Sequence, residues 1–214
     1  MKMSEPTIYI ISAPSGCGKG TLISKLNERY KIYNSISCTT RRPRSGEMNG
    51  VDYYFITPET YNRMVEEDGF FEHAGFDRNA YGTPRKPIED ALNDGMDVLL
   101  EIEPNGAFQV KEKKPDSVMI FILPPSLESL ERRLRRRAEQ SGESEDQIQS
   151  RIKTAIPDIK RAYEYDYVMV NGDLDKAVSD LYDIVTKAKN GGEGLEAFTK
   201  DSMKKTIDEV LENA

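Results

Sequence analysis

Residues Ile8 to Thr21 read Ile-Tyr-Ile-Ile-Ser-Ala-Pro-Ser-Gly-Cys-Gly-Lys-Gly-Thr, and the reading of this stretch decides the fold. A short β-branched apolar run ends in a turn of small residues. A lysine follows, and a helix-compatible segment begins at Leu22. The order is strand, loop, helix. Gly16, Gly18 and Gly20 let the backbone curl so that several N–H groups aim at one anion. Lys19 adds a charge that reaches outer phosphates, and the helix N-terminus adds its partial positive charge. The stretch therefore predicts a bound nucleoside triphosphate. It departs from the G-x-x-x-x-G-K-[ST] pattern twice. Ala13 stands at the first position, and Gly20 follows Lys19, with the hydroxyl displaced to Thr21. A glycine-rich turn without a ligand is the plainer reading; the strand before and the helix after argue against it. The displaced hydroxyl argues against direct magnesium ligation by the loop.

The bulk composition narrows the classes. With 214 residues the chain is long enough for one domain with a real core and inserts. A net charge of −7 argues against a nucleic-acid partner, whose binding rests on phosphate neutralisation. No apolar run approaches the ~20 residues that span a membrane, and Met1 to Thr7 has no signal-peptide segment. Cys17 and Cys38 have neither metal-site spacing nor a disulfide framework, so a cytoplasmic location is expected. Homo-oligomerisation is left open.

Apolar strand-like runs lie at Ile8–Ile11, Val98–Ile102, Val118–Leu123 and Tyr167–Val170. Helical patterns cover Leu22–Tyr30, Pro87–Asn93, Ala107–Lys113, Leu127–Arg137, Asp146–Tyr163 and Asp175–Lys189. Strands alternating with helices predict an α/β fold with a parallel sheet and right-handed crossovers. Between Ser35 and Pro87 the pattern changes to short alternating segments, which reads as a small, partly β insert. A second insert, about Ser126–Tyr163, is helical and strongly charged. Asn190-Gly-Gly-Glu-Gly is a flexible break. Beyond it, Leu195–Leu211 reads as one amphipathic helix with Phe198, Met203, Ile207 and Leu211 on one side.

The segment Ser35–Tyr53 packs Arg41, Arg42 and Arg44 among hydroxyls and a tyrosine. Arginine binds phosphate bidentately and hydroxyls complete the oxygen shell, so a phosphate site is favoured over a solvated basic loop. The run Arg132, Arg133, Arg135, Arg136 and Arg137, read alone, is a solvated helix face or a nucleic-acid patch.

Together these segments resemble guanylate kinase, the enzyme family that transfers phosphate from ATP to GMP. Ala13-Pro-Ser-Gly-Cys-Gly-Lys19 matches its phosphate loop. Ser37 through Arg44, Gly46-Glu47 and Gly50-Val-Asp-Tyr53 match its signature. Phe70-Phe-Glu-His-Ala74, Tyr81-Gly-Thr-Pro84, Leu100-Glu-Ile-Glu103, Ile122-Leu-Pro-Pro-Ser126 and Tyr165-Asp-Tyr167 follow in the family order. The likeness runs from about Pro6 to Lys189. The Gly20-Thr21 variant also looks like the form found in adenylate kinases.

The resemblance implies a P-loop three-layer core (6–34, 88–125, 165–189), a GMP-binding insert (35–87) and a helical lid (126–164), with 190–214 as linker and helical tail. It implies that Ala13, Pro14, Ser15, Gly16, Cys17, Gly18, Lys19, Gly20 and Thr21 bind ATP together with Arg133 and Arg137. Ser37, Arg41, Arg44, Tyr53 and Tyr81 would hold the GMP phosphate. Glu72 would accept hydrogen bonds from guanine N1–H and the N2 amine, Thr83 would face O6, and Gly82 and Glu101 would complete the GMP site. Adenine, an acceptor at N1, would be rejected, because unpaired buried polar groups discriminate strongly. Lys19, Arg41, Arg137 and Arg151 would stabilise the transferring phosphoryl group. Mg2+ would arrive with ATP, with no direct protein ligand, and Thr21 and Glu101 would reach it through water. His73 reads as structural.

Pro104-Asn105, Ala80 and Ala138 depart from the usual family residues at positions beside the site. Other nucleoside monophosphate kinases, a non-catalytic scaffold module of the same fold and a nucleic-acid binder are the competing readings. Retention of Lys19, Arg41, Arg44, Arg137 and Arg151 weighs against the scaffold module. Cys17 lies in a loop rich in N–H groups, which would lower its thiol pKa and make ATP binding sensitive to oxidation. A tolerant loop position is the plainer reading.

Overall fold

The computed structural model describes residues 5–44, 46–76 and 79–212. Every position of β1 (Ile8–Ser12) is buried, as in a strand covered on both faces. The loop after it runs directly into α1 (Lys19–Asn27). There follow β2 (Tyr33–Asn34), β3 (Cys38–Thr39), β4 (Tyr54–Phe55), α2 (Pro58–Glu66), β5 (Phe70–Phe76), β6 (Asn79–Pro84) and α3 (Arg85–Asn93). The chain continues through β7 (Val98–Glu101), α4 (Pro104–Lys113), β8 (Val118–Leu123), α5 (Leu127–Ser141) and α6 (Glu145–Lys160). It closes with β9 (Tyr167–Val170), α7 (Leu174–Ala188) and α8 (Lys204–Glu212). The alternation is the α/β pattern expected, and β8 and β9 have the bounds expected of them.

The chain divides into two compact units. The first contains Tyr9–Lys31 and Val118–Ala214. Its strands β1, β8 and β9 run parallel, with Ile11 opposite Ile120 and Phe121 opposite Val168. Helix α7 packs on β9 and on α1, and α5 packs on α6. Tyr9 is fully buried, and its hydroxyl donates to the Val185 carbonyl at 2.6 Å, so the polar tip is satisfied inside the core.

The second unit contains Glu5–Ile8 and Ile32–Ser117. Here β2 and β7 pair in parallel. A separate sheet has the strand order β4-β3-β6-β5. Strands β5 and β6 are antiparallel, with Glu72 opposite Thr83 and Ala74 opposite Tyr81, and the register shifts between Phe70 and Glu72. Helices α2, α3 and α4 each pack against β5. Cys38, Tyr61 and Phe70 form a buried cluster, with Ile56, Met64, Val65 and Ala80 around it.

Three elements differ from the sequence reading. The insert contains helix α2, which the alternating pattern did not suggest. Its start is nonetheless well encoded: Thr57 caps it by accepting from Thr60 N–H at 3.2 Å, and Pro58 sits in the first turn. The single helix expected over Asp146–Tyr163 ends at Lys160 and tightens into a 3-10 turn at Arg161–Glu164. The tail, expected as one helix, is a 3-10 turn at Glu196–Phe198 followed by α8. Its buried residues are Leu195, Ile207 and Val210, while Phe198, Met203 and Leu211 are half-buried. The Thr199 hydroxyl accepts from Ser202 N–H in the turn that separates the 3-10 turn from α8, which interrupts the 195–211 periodicity. Residues 213–214 of the tail lie outside the described residues.

Candidate active site

The phosphate loop owes its shape to glycines at positive φ. Gly16 and Gly18 have φ of 85° and 88°, the left-handed region that costs other residues about 1–2 kcal/mol. Space demands glycine too. A Cβ on Gly16 would lie 2.6 Å from Leu134 Cδ2, and one on Gly18 would lie 2.6 Å from Asn171 Nδ2. Gly18 is the N-cap of α1, and no side chain caps that end, so the first turn presents its N–H groups to an anion. Lys19 opens the helix, and Thr21 is exposed on its first turn. Gly20 has open space around it.

Two side chains hold the loop from behind. Asn171 Nδ2 donates to the Cys17 carbonyl at 2.7 Å. Arg133 donates to the same carbonyl at 3.0 Å and to the Asn171 carbonyl at 2.9 Å. Arg133, expected among the ATP-phosphate ligands, therefore has two donors on loop-supporting carbonyls in this structure. Asn171 was not singled out in the sequence, because no motif marks a residue that acts through its position after β9.

Of the two readings of Cys17, the structure supports the plainer one, a loop position without an activated thiol. Cys17 is buried, and its Sγ donates to the Ile122 carbonyl. Burial pushes the thiol up to about 12, outweighing the lowering by Arg133 and Lys19. A buried thiol that donates to a carbonyl is disfavoured as a thiolate.

Helices α5 and α6 carry the other arginines. Arg151 donates to the Ser15 hydroxyl of the loop at 2.7 Å and to Glu143 at 2.8 Å. Arg137 bonds the second Glu143 oxygen at 3.3 Å. Glu143 thus lies between the two arginines, and it too was missed by the sequence reading. Its carboxyl is half-shielded, which alone would raise its pKa, but the two guanidinium groups hold it below the usual carboxylate range. Ser144 and Gln147 form a capping box at the start of α6, which fixes the turn that carries Glu143.

In the second unit, Arg41 forms a two-pronged ion pair with Glu47, both bonds 2.9 Å. Its guanidinium also lies 5.4 Å from the centroid of the Tyr53 ring, and Tyr53 meets Tyr81 edge-on at 6.1 Å. Arg44 is exposed beside them, its backbone N–H bound to Glu47 at 2.7 Å. Glu47 was read only as part of the signature; here it pins the arginine loop. Glu72 is buried on β5 and accepts from the Thr83 hydroxyl at 2.6 Å. Ser37 lies 3.3 Å from that hydroxyl. With its proton given to Glu72, the Thr83 oxygen is the acceptor and Ser37 the donor. Burial pushes the Glu72 carboxyl up, against the opposing Thr83 hydrogen bonds. Gly82 is backed by Phe70, 2.7 Å from where a Cβ would sit. Glu101 is exposed at the end of β7. His73 makes ring contacts with Tyr61 and Phe70, a packing role.

Among the first unit's residues the structure thus gathers Ser15, Arg137, Arg151 and Glu143; among the second's it gathers Arg41, Glu47, Tyr53 and Tyr81, and separately Ser37, Glu72 and Thr83. A glycine nest between a buried parallel strand and an uncapped helix start, with arginines converging on it, defines a phosphate-loop nucleotide-binding protein.

The guanylate kinase family model matches residues 5–188. Guanylate kinase of Thermus thermophilus is 46% identical over an alignment covering 99% of this chain and 96% of that one. Guanylate kinase of Escherichia coli is 44% identical, covering 86% and 88%. A crystal structure of guanylate kinase from Anaplasma phagocytophilum aligns with a TM-score of 0.72 at 35% identity, covering 88% of this chain and 89% of that one. The chain belongs to the guanylate kinase family, and it is an enzyme of the nucleoside monophosphate kinase type.

Proposed function

We propose that the chain transfers the γ-phosphate of ATP to GMP, with the first unit holding the donor and the second the acceptor. The observation that carries the acceptor reading is Glu72, a buried carboxylate oriented by Thr83 in the same sheet system as the Arg41 cluster. Guanine offers two adjacent donors on its Watson–Crick edge, and an ionised carboxylate is the matching acceptor pair. Ser37, Arg41, Arg44, Tyr53 and Tyr81 bind the GMP phosphate, with Glu47 keeping the Arg41 fork in one orientation. On the donor side, the loop N–H groups and Lys19 bind the β- and γ-phosphates, and Arg137 and Arg151 close on them from the lid. In domain terms, residues 35–87 act as the acceptor insert and 126–164 as the lid.

A GMP phosphate oxygen forms the new bond to the γ-phosphorus while the bond to the β-phosphate oxygen breaks and ADP leaves. Charge spreads over the transferring oxygens, so catalysis is positioning and electrostatic stabilisation. Lys19, Arg41, Arg137 and Arg151 supply it. No general base is needed, because the phosphate acceptor is largely ionised at neutral pH. Glu143 holds Arg137 and Arg151 near the loop before ATP arrives, and triphosphate oxygens then compete for the same donors.

Among the described residues, no three His, Cys, Asp or Glu side chains converge as a metal cage. Thr21, exposed on the first turn of α1, and Glu101, exposed at the end of β7, offer oxygen atoms that suit a magnesium ion that comes with the triphosphate and keeps several waters. Bound there, the ion would neutralise β- and γ-phosphate charge; Thr21 and Glu101 are the residues offered to its waters. Among the described residues, no helix is long and apolar enough to cross a membrane.

The test is a panel of nucleoside monophosphates with ATP and magnesium, read by ADP release. GMP is expected to be used far better than AMP, CMP or UMP. Equal use of AMP, or no ADP release with GMP, would defeat the proposal.

A further inference from the structure

Helix α4 presents three residues at helical spacing to three consecutive residues of β5. Gly106 is buried against the Glu72 carboxylate: a Cβ there would lie 2.4 Å from Oε2 and 2.9 Å from Cδ. The Gln109 amide pairs with both backbone groups of His73, Nε2 donating to the carbonyl at 3.0 Å and Oε1 accepting from the N–H at 3.3 Å. Lys113 Nζ donates to the Phe71 carbonyl at 2.8 Å. Positions 106, 109 and 113 share one helix face. Strand β5 is an edge of its sheet, and backbone groups of residues two apart point to the same side. Gln109 and Lys113 therefore bind the edge of the strand on both sides of Glu72.

We infer that this face of α4 is a positioning clamp for the base-reading carboxylate. The inference rests on the assignment of Glu72 to guanine given above. A carboxylate that reads two adjacent donors must keep both oxygens in the plane of the base, and placement errors of about 0.5 Å degrade such a site. Thr83 fixes Oε1, the bare Cα of Gly106 leaves room for Oε2, and Gln109 and Lys113 stop the strand from sliding. Gly106 separates this role from a packing role. A methyl group there meets the far end of a side chain, so Glu72 swings away while the backbone stays. Alanine is also the better helix former. The fold therefore tolerates the substitution, and the carboxylate geometry does not.

The experiment is steady-state kinetics on the full chain, varying GMP at saturating ATP and ATP at saturating GMP, with thermal midpoints alongside. Gly106→Ala is expected to raise the GMP KM on the order of ten-fold, and Gln109→Met and Lys113→Met by roughly three-fold each, the range of a misplaced uniform-binding contact. The ATP KM and the thermal midpoint stay near their starting values. Lys113→Arg, which keeps the donor, recovers most of what Lys113→Met loses. In a Glu72→Ala background, Gly106→Ala adds nothing, because the two act through one group. If Glu72→Ala raises the GMP KM while the α4 variants do not, the clamp is wrong and the base assignment stands. If the α4 variants raise the ATP KM equally, or lower the midpoint in step with activity, their role is general packing and the clamp is again wrong. If Glu72→Ala leaves the GMP KM unchanged, the base assignment falls and takes the clamp with it.

Discussion

At the scale of the residue, the proposed assignment of Glu72 to guanine makes its protonation decide what the acceptor site can read. Burial raises its pKa above the ordinary 4.5. Once protonated, the carboxyl places an O–H donor where guanine also offers donors, and one of the two hydrogen bonds becomes a repulsion. The sign follows. The ionised, base-competent form is lost as pH falls through the raised folded value, in a window that begins above 4.5. The GMP KM is therefore expected to climb on acidification from neutrality, and Glu72→Gln, which has nothing to titrate, should flatten that part of the profile. A GMP KM profile of identical shape in the two proteins would mean that the phosphate of GMP, with its pKa near 6, accounts for all of it. The residue types at this site were legible in the chain through the order of the motifs. Their partners were not: Glu47, Glu143 and Asn171 are ordinary surface-type residues in sequence, and only the fold brings each to a guanidinium or a loop carbonyl.

At the scale of the element, the tail is the part the family resemblance did not cover. The family match ends at residue 188, yet α8 packs on α6 and on the 3-10 turn Arg161–Glu164, and the Tyr163 hydroxyl bonds Asp208. Leu195, Ile207 and Val210 are almost fully buried. Each such side chain contributes about 1.5–3 kcal/mol, so removing 190–214 should cost at most about 9 kcal/mol and less in practice, because unfolded chains already bury some surface. Urea unfolding of the shortened chain is expected to show a lower midpoint. An unchanged midpoint would mean that α8 contributes nothing to stability. The amphipathic pattern predicted one helix with Phe198, Met203, Ile207 and Leu211 on its apolar side; Ile207 is fully buried and the other three are half-buried, while Leu195 and Val210 take the remaining buried places. Periodicity that runs across Thr199 and the turn after it mixes two helical phases.

At the scale of the whole molecule, every residue assigned to ATP lies in the first unit and every residue assigned to GMP in the second. Hydrogen exchange should therefore separate the two ligands. A nonhydrolysable ATP analogue alone is expected to slow exchange in 13–27 and in helices α5 and α6, the proposed lid, and GMP alone in 35–84. Protection of 13–27 by GMP with none in 35–84 would move the acceptor assignment. The sequence alone determined the strand-loop-helix at Ile8–Asn27, the alternation of buried strands with helices, and the residue types proposed to meet phosphate. These follow from local rules: runs of apolar residues, glycine at positive φ, and arginine among hydroxyls. Only the tertiary structure decided that Cys17 is buried, that Arg133 supports the loop, that Glu143 and Glu47 hold the arginines, and that α4 grips the strand carrying Glu72. Burial and hydrogen bonding between residues far apart in sequence set those roles, and no local pattern records which distant group will fill the space beside a side chain.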